Sequence, residues 1–542
     1  MLGTQVASDL DLDTVNSVVP LQTKWGKEYF RIGLTDITAD TQEIKRKQLP
    51  IMALRLEPTV CKSIVKTLET LNNKTTHVDD ALENTDNRVS ESVSQILWKP
   101  THFGAFLNKS PYAMNALILW RTIILPAFAV LAPLIAVVIP FFLLRFMNPD
   151  IQLSTDEYMT RVRHVLLQQI TIPHFLRSRH PDDRLGFVFE SLFIGLTLAM
   201  FISSIWSQIN NAIHTRAIWF DLEERGDHIQ HMYSVAKETI KQLKTLSPKA
   251  QRAAVKLIDS GEAAILGCKE LDGLDGVATF GCVWNNSETV KILKVWLSQL
   301  DCYSAIASLD GICFPTIRKT VGIKLTDVHH PFVKGCISNN LITESHSILT
   351  GPNRGGKSTY CKSVGLAVVT AQTWGFAWAT RMSFSPFKTV VTALEPTGLL
   401  GSLSTFEAEI EFAKSVLATE GLPAFVMMDE IFHSTNAGDG LEASRVFMSQ
   451  LYEKSDIISI ISTHYKDLAE SFGGVATAIQ MDATVGEEDR LIYSYKVTPG
   501  VSDKSSVVEI LKERGLLPSA HPAPIARGQI IEERLPPEAE TQ

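Results

Sequence analysis

Apolar residues recur at helical spacing over two long parts of the chain. Between residues 36 and 56 they lie three or four positions apart among good helix formers, and residues 286–309 repeat that pattern. We therefore predict mainly α-helical segments over residues 1–110 and 216–318. The Pro- and Glu-rich residues 518–542 predict a disordered tail.

Two uncharged apolar runs lie between these helical parts. Residues 122–144 contain no charged side chain, and residues 191–212 form a second, more amphipathic run. A helix of about 20 apolar residues crosses a bilayer core of about 30 Å, and a membrane tolerates the prolines of the first run better than water does. We predict a membrane hairpin over residues 111–215. A re-entrant hairpin and buried core helices are the alternatives.

A short buried strand, a glycine loop and a helix follow one another at residues 346–372. The loop reads GPNRGGKST and contains G-x-x-x-x-G-K-S. Such glycines let backbone N–H groups turn toward phosphate oxygens, the lysine reaches the terminal phosphates, and the serine hydroxyl binds Mg²⁺. The flanking elements favour an ATP and Mg²⁺ site over a chance glycine turn. The predicted nucleotide ligands are Gly351, Pro352, Asn353, Gly355, Gly356, Lys357, Ser358 and Thr359.

Two further apolar strands end in residues that complete this predicted site. Residues 424–432 contain Asp429, which with Ser358 would hold Mg²⁺, and Glu430, which would orient or deprotonate the attacking water. Residues 457–464 end in His464, which can reach the γ-phosphate side, although a lone histidine at a strand end is usually structural. The predicted catalytic residues are Lys357, Glu430 and His464.

Composition excludes several other classes of protein. The net charge is −8, so no general basic field attracts nucleic acid. The seven cysteines form no C-x-x-C pair, which argues against a disulfide framework or a structural zinc site and favours a reducing compartment. The acidic N-terminus lacks the apolar core of a signal peptide.

The segments GPNRGGKSTY, GSLSTFEAEIEFAKSVL, VMMDEIFHSTNAGDGLEA and ISTHYKDLAE closely resemble the ATPase domain of MutS-family proteins in order and spacing. Residues 495–515 are similar to the family's C-terminal segment, and residues 298–309 and, more weakly, 13–48 are similar to its core, or lever, region. The resemblance implies an α/β P-loop NTPase domain of the ABC/MutS type at residues 319–517, attached to mainly α-helical core segments. The two transmembrane helices are predicted from the apolar runs and not from the resemblance.

The resemblance also implies a dimer whose subunits complete each other's nucleotide sites. Ser404 matches the signature serine that meets the partner's γ-phosphate in trans, and Asn353 matches the phosphate-loop asparagine. His464 matches a switch-like histidine of the family. Asp439 and Gly440 match the family's Asp-Gly step after the Walker B motif, which here contains Asp429 and Glu430.

Three departures from the family pattern bear on function. Arg354 stands where the family usually has methionine, and Phe432-His433-Ser434 replaces a Gly-Arg-Gly-like run at the dimer interface. Cys336 stands where an adenine-stacking aromatic is often found, which predicts loose base selection. We also expect no mismatch-reading domain, and the apolar runs fall where the family inserts its DNA clamp.

These observations predict a membrane-anchored, dimeric ATPase whose nucleotide state is coupled to helical levers. Two spans place both soluble ends on the same side of the membrane. Because the ATPase part needs ATP and a reducing compartment, we expect that side to be the cytosol or its equivalent. The predicted partners are a second copy of the chain and membrane lipid. The alternative is a DNA repair or recombination factor that binds mismatched or branched DNA, although mismatch recognition is disfavoured. A transporter subunit is disfavoured by the few spans, and a non-hydrolysing scaffold by Glu430.

Overall fold

The computed structural model describes residues 2–72, 74–82, 93, 96–98, 101–147, 154–169, 184–394, 405–486, 490–514 and 516. The chain forms two compact units that interleave in sequence. Unit 1 takes in Met1–Pro20, Phe30–Leu49 and Leu309–Gln542, and unit 2 takes in Leu21–Tyr29 and Pro50–Ser308. The linear domain boundaries predicted above stay predictions, as does the disordered tail, which lies outside the described residues.

The first 308 residues are helical wherever the structure describes regular elements. The helices are α1 (Thr4–Asp9), α2 (Lys24–Thr35), α3 (Thr41–Leu56), α4 (Pro58–Glu69), α5 (Thr75–Leu82), α6 (His102–Asn108), α7 (Pro111–Leu119), α8 (Leu125–Met147), α9 (Thr155–Gln169), α10 (Arg184–Lys244), α11 (Pro248–Gly267), α12 (Gly276–Asn285) and α13 (Glu288–Ala307). Short 3-10 turns occupy Leu12–Ser17 and Lys269–Leu271, and a π-helical turn, Trp120–Ile124, joins α7 to α8.

A buried carboxylate fixes the start of α2 within unit 2. Asp301 of α13 is fully buried and accepts hydrogen bonds from the backbone N–H groups of Gln22 and Thr23, at 3.0 and 2.8 Å, and from the Thr23 hydroxyl at 2.7 Å. The Thr23 hydroxyl in turn accepts from the backbone N–H of Gly26 at 2.9 Å. Helix α2 begins at Lys24 because the Thr23 hydroxyl caps the free N–H of Gly26, while Asp301 holds the two residues that precede the helix.

One described helix, Pro111–Ala132, is long and apolar enough to cross a membrane, and only 11 % of its most apolar stretch is buried. The sequence predicted two spans, so the prediction is supported for one span only, and that span begins before residue 122 because the helix continues from α7 through the π-helical turn. The second predicted span, residues 191–212, lies inside α10, and several of its side chains lie outside the described residues.

Unit 1 contains two sheets and the helices that cover them. The strands are β1 (Thr316–Ile317), β2 (Ile323–Val328), β3 (Asn339–Thr343), β4 (His346–Thr350), β5 (Arg381–Phe384), β6 (Thr389–Ala393), β7 (Ala424–Asp429), β8 (Ile457–Ser462), β9 (Ala476–Val485) and β10 (Leu491–Pro499). The helices are α14 (Lys357–Thr373), α15 (Thr405–Leu417), α16 (Ala437–Tyr452), α17 (Lys466–Ser471) and α18 (Val507–Glu513).

The larger sheet has the order β10-β9-β4-β8-β7-β6, and the smaller sheet has the order β1-β5-β2-β3. In the larger sheet β9, β4, β8, β7 and β6 are parallel, whereas β10 runs antiparallel to β9. Every residue of β4 and β8 is buried, as expected for inner strands of a parallel sheet covered on both faces. This α/β architecture confirms the predicted fold class of the ATPase part.

Candidate functional site

The carboxyl ends of three neighbouring parallel strands meet at one edge of the larger sheet. Strand β8 lies between β4 and β7, and Ser462 at its end pairs in register with Leu349 of β4 and Asp429 of β7. Segments that leave strands at this edge therefore come together, which is where open α/β sheets bind ligands. The predicted glycine loop, Asp429, Glu430 and His464 all lie at this edge.

The loop between β4 and α14 has a backbone that depends on its glycines. Gly351 and Gly356 have φ values of +155° and +96°, and a Cβ atom on Gly351 would lie 2.9 Å from the Cβ of Met481. Arg354 adopts a φ of +66°, a conformation that is uncommon for a residue with a side chain. Helix α14 begins directly after the loop, so its free N–H groups point toward the space where an anion can bind.

Lys357 is buried beneath this loop, with only 5 % of its side chain exposed. Its Nζ donates a hydrogen bond to the carbonyl oxygen of Gly351 at 3.2 Å, and it lies 3.8 Å from Glu430 Oε1 and 3.5 Å from His464 Nε2. Burial lowers the pKa of Lys357, while the charges of Glu430 and Asp429 act in the opposite direction. A desolvated ammonium group held at the loop is suited to bind terminal phosphate oxygens.

Asp429 links the glycine loop to the two neighbouring strands. The Ser358 hydroxyl donates to Asp429 Oδ2 at 2.6 Å, and the Ser462 hydroxyl donates to Asp429 Oδ1. One hydroxyl and one carboxylate, with room left for water and phosphate oxygens, form a donor set that fits Mg²⁺. Sequence reasoning assigned Ser358 and Asp429 but missed Ser462, whose place beside Asp429 depends on the strand order.

Glu430 and His464 form a close pair beside Lys357. His464 Nε2 lies 2.5 Å from Glu430 Oε1. The hydrogen bond from His464 is the main cause that lowers the pKa of Glu430, with burial acting against it and the charges of His464 and Lys357 acting in the same direction. Glu430 has a φ of +50°, so its backbone holds a sparsely populated conformation at this point. Its carboxylate is therefore kept in the ionised form that a general base requires.

An open cavity of about 570 Å³ lies over the loop. Pro352, Asn353, Ser358, Thr359 and Cys336 line it, so the structure brings these predicted residues to one space.

Tyr495 of β10 also lines the cavity, and sequence reasoning missed it. Its φ of +55° falls where the β9–β10 register shifts, its ring stacks on Tyr493, and its carbonyl oxygen accepts from Asn339 Nδ2 at 2.9 Å. The Y-S-Y pattern was the available signal, because alternate residues of a strand share a face.

The residues after β7 connect Glu430 to α15. His433 Nδ1 lies 3.0 Å from the carbonyl oxygen of Glu430 and 3.1 Å from Glu409 Oε1. Since both neighbours are acceptors, Nδ1 carries the proton. The Ser434 hydroxyl donates to Glu409 Oε2 at 2.7 Å. The residues Phe432-His433-Ser434 thus connect the Asp429-Glu430 pair at the end of β7 to α15. Ser404, which directly precedes α15, lies outside the described residues.

Asp439 and Gly440 belong to the first turn of α16. The Asn436 side chain caps this helix by accepting from the backbone N–H of Asp439 at 2.9 Å. A Cβ atom on Gly440 would lie 2.5 Å from the carbonyl oxygen of Phe432, so a larger residue would displace the segment that follows Glu430. Gly440 therefore constrains the segment after Glu430, Asp439 pairs with the cap of α16, and neither lines the cavity described above.

Comparison with known proteins agrees with this geometry. Residues 347–521 match the family model described as MutS domain V. The DNA mismatch repair protein MutS of Chlorobium limicola is 27 % identical over 250 residues, which cover 43 % of this chain and 29 % of that protein. The corresponding protein of Chlorobaculum tepidum is 26 % identical over 288 residues, covering 50 % of this chain and 33 % of that protein.

The match thus spans about a third of the length of these relatives. It includes the glycine loop, Asp429, Glu430 and His464, the residues that the sheet edge brings together. Because the family model and the strand-edge site coincide, residues 347–521 form a MutS domain V, and unit 1 therefore carries a P-loop ATPase domain of the MutS type.

Proposed function

We propose that this protein is a membrane-anchored MutS-like ATPase that binds and hydrolyses ATP in a dimer and couples nucleotide state to its helical levers. The observation that carries the hydrolytic part is the meeting of Lys357, the Ser358–Asp429 pair and the Glu430–His464 pair at one sheet edge. This set supplies a phosphate-binding cation, a site for Mg²⁺ and an ionised carboxylate.

Each of these groups has a distinct task in the proposed reaction. Lys357 and the free N–H groups of α14 bind the β- and γ-phosphate oxygens. Glu430 orients the attacking water and accepts its proton, while His464 holds that carboxylate in place. Bound Mg²⁺ would supply neutralising charge to the phosphate oxygens, held by Ser358 and Asp429.

The proposed dimerisation and lever coupling depend on Ser404. Ser404 would contact the γ-phosphate of the other subunit, so that ATP closes the interface and hydrolysis releases it. A ligand shifts a conformational equilibrium only through contacts that differ between the two states. A nucleotide held between two subunits provides such a difference. The link from His433 to Glu409 connects α15, which follows Ser404 in the sequence, to the backbone of Glu430.

Membrane anchoring rests on the apolar helix of unit 2. Ile123, Phe128 and Leu131 are large apolar side chains that stay exposed along Pro111–Ala132. Exposed apolar surface of this kind marks contact with lipid or another protein. We propose that lipid covers it and that the ATPase domain faces the cytosol. Membrane-pellet retention of the full-length protein after alkaline carbonate washing supports lipid insertion, whereas release into the supernatant contradicts it.

A DNA-binding role is the second candidate, because the similar proteins carry the name DNA mismatch repair protein. The net charge of −8 gives no general attraction to phosphate. The ATPase rate of the full-length protein in liposomes, measured with duplex, mismatched and four-way-junction DNA, separates the two. Stimulation by DNA that weakens with salt favours the second candidate, and a rate that depends on lipid alone favours the first.

Glu430→Gln tests hydrolysis itself. We expect turnover to fall about 10²- to 10⁴-fold, the usual contribution of a general base, while ATP affinity stays close to wild type. Glu411→Gln is the matched control, because Glu411 lies on α15 and pairs there with Lys414. Wild-type turnover in Glu430→Gln contradicts the assigned role.

A further inference from the structure

Three potential metal ligands face one another in unit 2, apart from the nucleotide site. His77 lies on α5, and Glu224 and His228 lie four residues apart on α10, so the latter two share one helix face. Helix α5 packs against α10. One ligand atom from each of the three side chains lies within 4.8 Å of the others.

His228 has an unusual polar environment in this cluster. Its Nε2 atom is buried and has no hydrogen-bond partner. The nearest carboxylate oxygen, Glu224 Oε1, is 3.7 Å away, which is too long for a hydrogen bond. Buried polar atoms nearly always have a partner, and an exception requires an explanation such as the capacity to bind an ion.

The two imidazole rings lie next to each other, but they would have to turn to share one ion. The imidazoles of His77 and His228 stack with their centroids 4.7 Å apart and their planes at 24°. A metal ion lies in the plane of each ring that binds it, so His77, which is exposed, has to turn out of the stack. The Glu224 side chain is 63 % exposed and can move toward the ion, whereas that of His228 is only 16 % exposed.

We propose that His77, Glu224 and His228 bind a divalent transition-metal ion of the zinc class. Two imidazole nitrogens and one carboxylate oxygen form a known zinc ligand set, with bonds of about 2.0–2.2 Å and a fourth position for water. Those bond lengths place tetrahedral ligand atoms roughly 3.4 Å apart, so atoms at the 4.8 Å limit of this cluster would close by up to about 1.4 Å on binding. Imidazole ligands select zinc-class ions over Mg²⁺ and Ca²⁺.

The ion would join two helices that flank the candidate membrane span. Helix α5 precedes Pro111–Ala132 and α10 follows it, so the bound ion closes a long loop of the chain. A link that closes a long loop restricts the unfolded chain and thereby stabilises the folded unit.

Lys74 provides a discriminating test. It directly precedes α5, three residues before His77, so its positive charge lies close to the cluster. Such a charge opposes a bound cation, so Lys74→Gln should tighten zinc binding, whereas loss of a ligand should weaken it. A gain of affinity cannot result from misfolding.

The experiment uses the full-length protein in lipid nanodiscs without a polyhistidine tag. Co²⁺ binding is followed by its visible absorption, and Zn²⁺ affinity is measured by competition with a chelating dye. We expect one ion per chain with tetrahedral absorption, a loss of at least about tenfold in affinity in His77→Ala and His228→Ala, and tighter binding in Lys74→Gln. His231→Ala, on the same helix, is the control and should bind as wild type does.

Two outcomes would overturn the proposal. In the first, His77→Ala and His228→Ala bind Zn²⁺ as tightly as wild type does. Any bound ion would then lie at another place, such as the nucleotide site. The other is unchanged or weaker binding in Lys74→Gln, which would leave Glu224 and His228 as an ordinary carboxylate–imidazole pair. Circular dichroism spectra establish that each variant is folded.

Discussion

Burial of one histidine links the stability of unit 1 to pH. His346 begins β4 and is 2 % exposed, its Nδ1 lies 2.9 Å from Ser459 Oγ, and its ring stacks on Tyr452. Burial lowers the pKa of His346 to about 4. The unfolded chain binds this proton below about pH 6.5, the ordinary histidine value, and the folded chain does not until about pH 4. The free energy of unfolding therefore decreases as pH falls through that window, by at most about 3 kcal/mol.

Amide hydrogen exchange of the β4 segment, compared at pH 7 and pH 5 after correction for intrinsic exchange, measures this effect in the intact protein. We expect protection to decrease at the lower pH in wild type and to change less in His346→Gln. His102→Gln, at an exposed position, should behave as wild type does. Equal pH dependence in wild type and His346→Gln would show that another group is responsible.

Tyr495 offers the aromatic surface that position 336 lacks. Its ring lies over the glycine loop, since a Cβ atom on Gly356 would be 3.3 Å from Tyr495 Cδ1. Stacking of a base on an aromatic ring contributes about 1–3 kcal/mol, so Tyr495→Ala should weaken nucleotide binding fivefold or more, and Tyr495→Phe should keep it. Calorimetric titration with a non-hydrolysable ATP analogue measures both. Equal affinity in Tyr495→Ala would place the base elsewhere in the cavity.

At the scale of elements, the strands that carry the site could be predicted from their apolar runs, but the residues at which two of them end could not. The buried run at residues 346–350 coincides with β4, whereas the predicted strands at 424–432 and 457–464 end earlier, at Asp429 and Ser462. Strand β7 stops there because Glu430 takes a positive φ, which apolar periodicity does not reveal.

The side chains that sequence reasoning missed depend on contacts between elements. Ser462 reaches Asp429 because β8 pairs with β7, and Tyr495 turns over the loop because the β9–β10 register shifts. A single sequence shows the residue types but not the strand order or the bulge that brings them to the site. The glycine loop could be predicted because its chemistry is local to one strand and one helix.

The contact between α2 and α13 gives an element-scale prediction for unit 2. A Cβ atom on Gly26 would lie 2.1 Å from Asp301 Oδ2. Gly26→Ala should therefore displace the carboxylate that holds the residues before α2 and lower the free energy of unfolding by about 1–3 kcal/mol. Gly3→Ala is the control, because nothing lies within 4 Å of its Cβ position. Differential scanning calorimetry should show a lower Tm for Gly26→Ala only, and equal Tm values would contradict the packing argument.

For the whole molecule, the fold alone does not set what the ATPase acts on. The same P-loop site can serve DNA or a membrane, because function depends on the surfaces joined to it. In this chain the part outside the matched residues 347–521 includes a helix with exposed apolar side chains, and the net charge is negative. The proposal of lipid contact around unit 2 is based on these two properties.

Composite sites would make two inactive variants active when mixed. If Ser404 acts on the site of the other subunit, a dimer of Glu430→Gln with Ser404→Ala has one site with both defects and one site with none. Random mixing makes half of the dimers mixed, so turnover should recover to about a quarter of wild type. If Ser404 acts within its own subunit, every site keeps one defect and mixing restores nothing.

Steady-state ATPase assays of the two variants, alone and after mixing in detergent before reconstitution, decide between these cases. Lys357→Ala mixed with Glu430→Gln is the control, because both residues belong to one subunit's site, at 3.8 Å from each other. In this pair each site of a mixed dimer carries a defect, so no turnover should return. Recovery in the Ser404 pair alone therefore identifies a site built by two subunits, and its absence would reduce the proposed dimer to two independent ATPases.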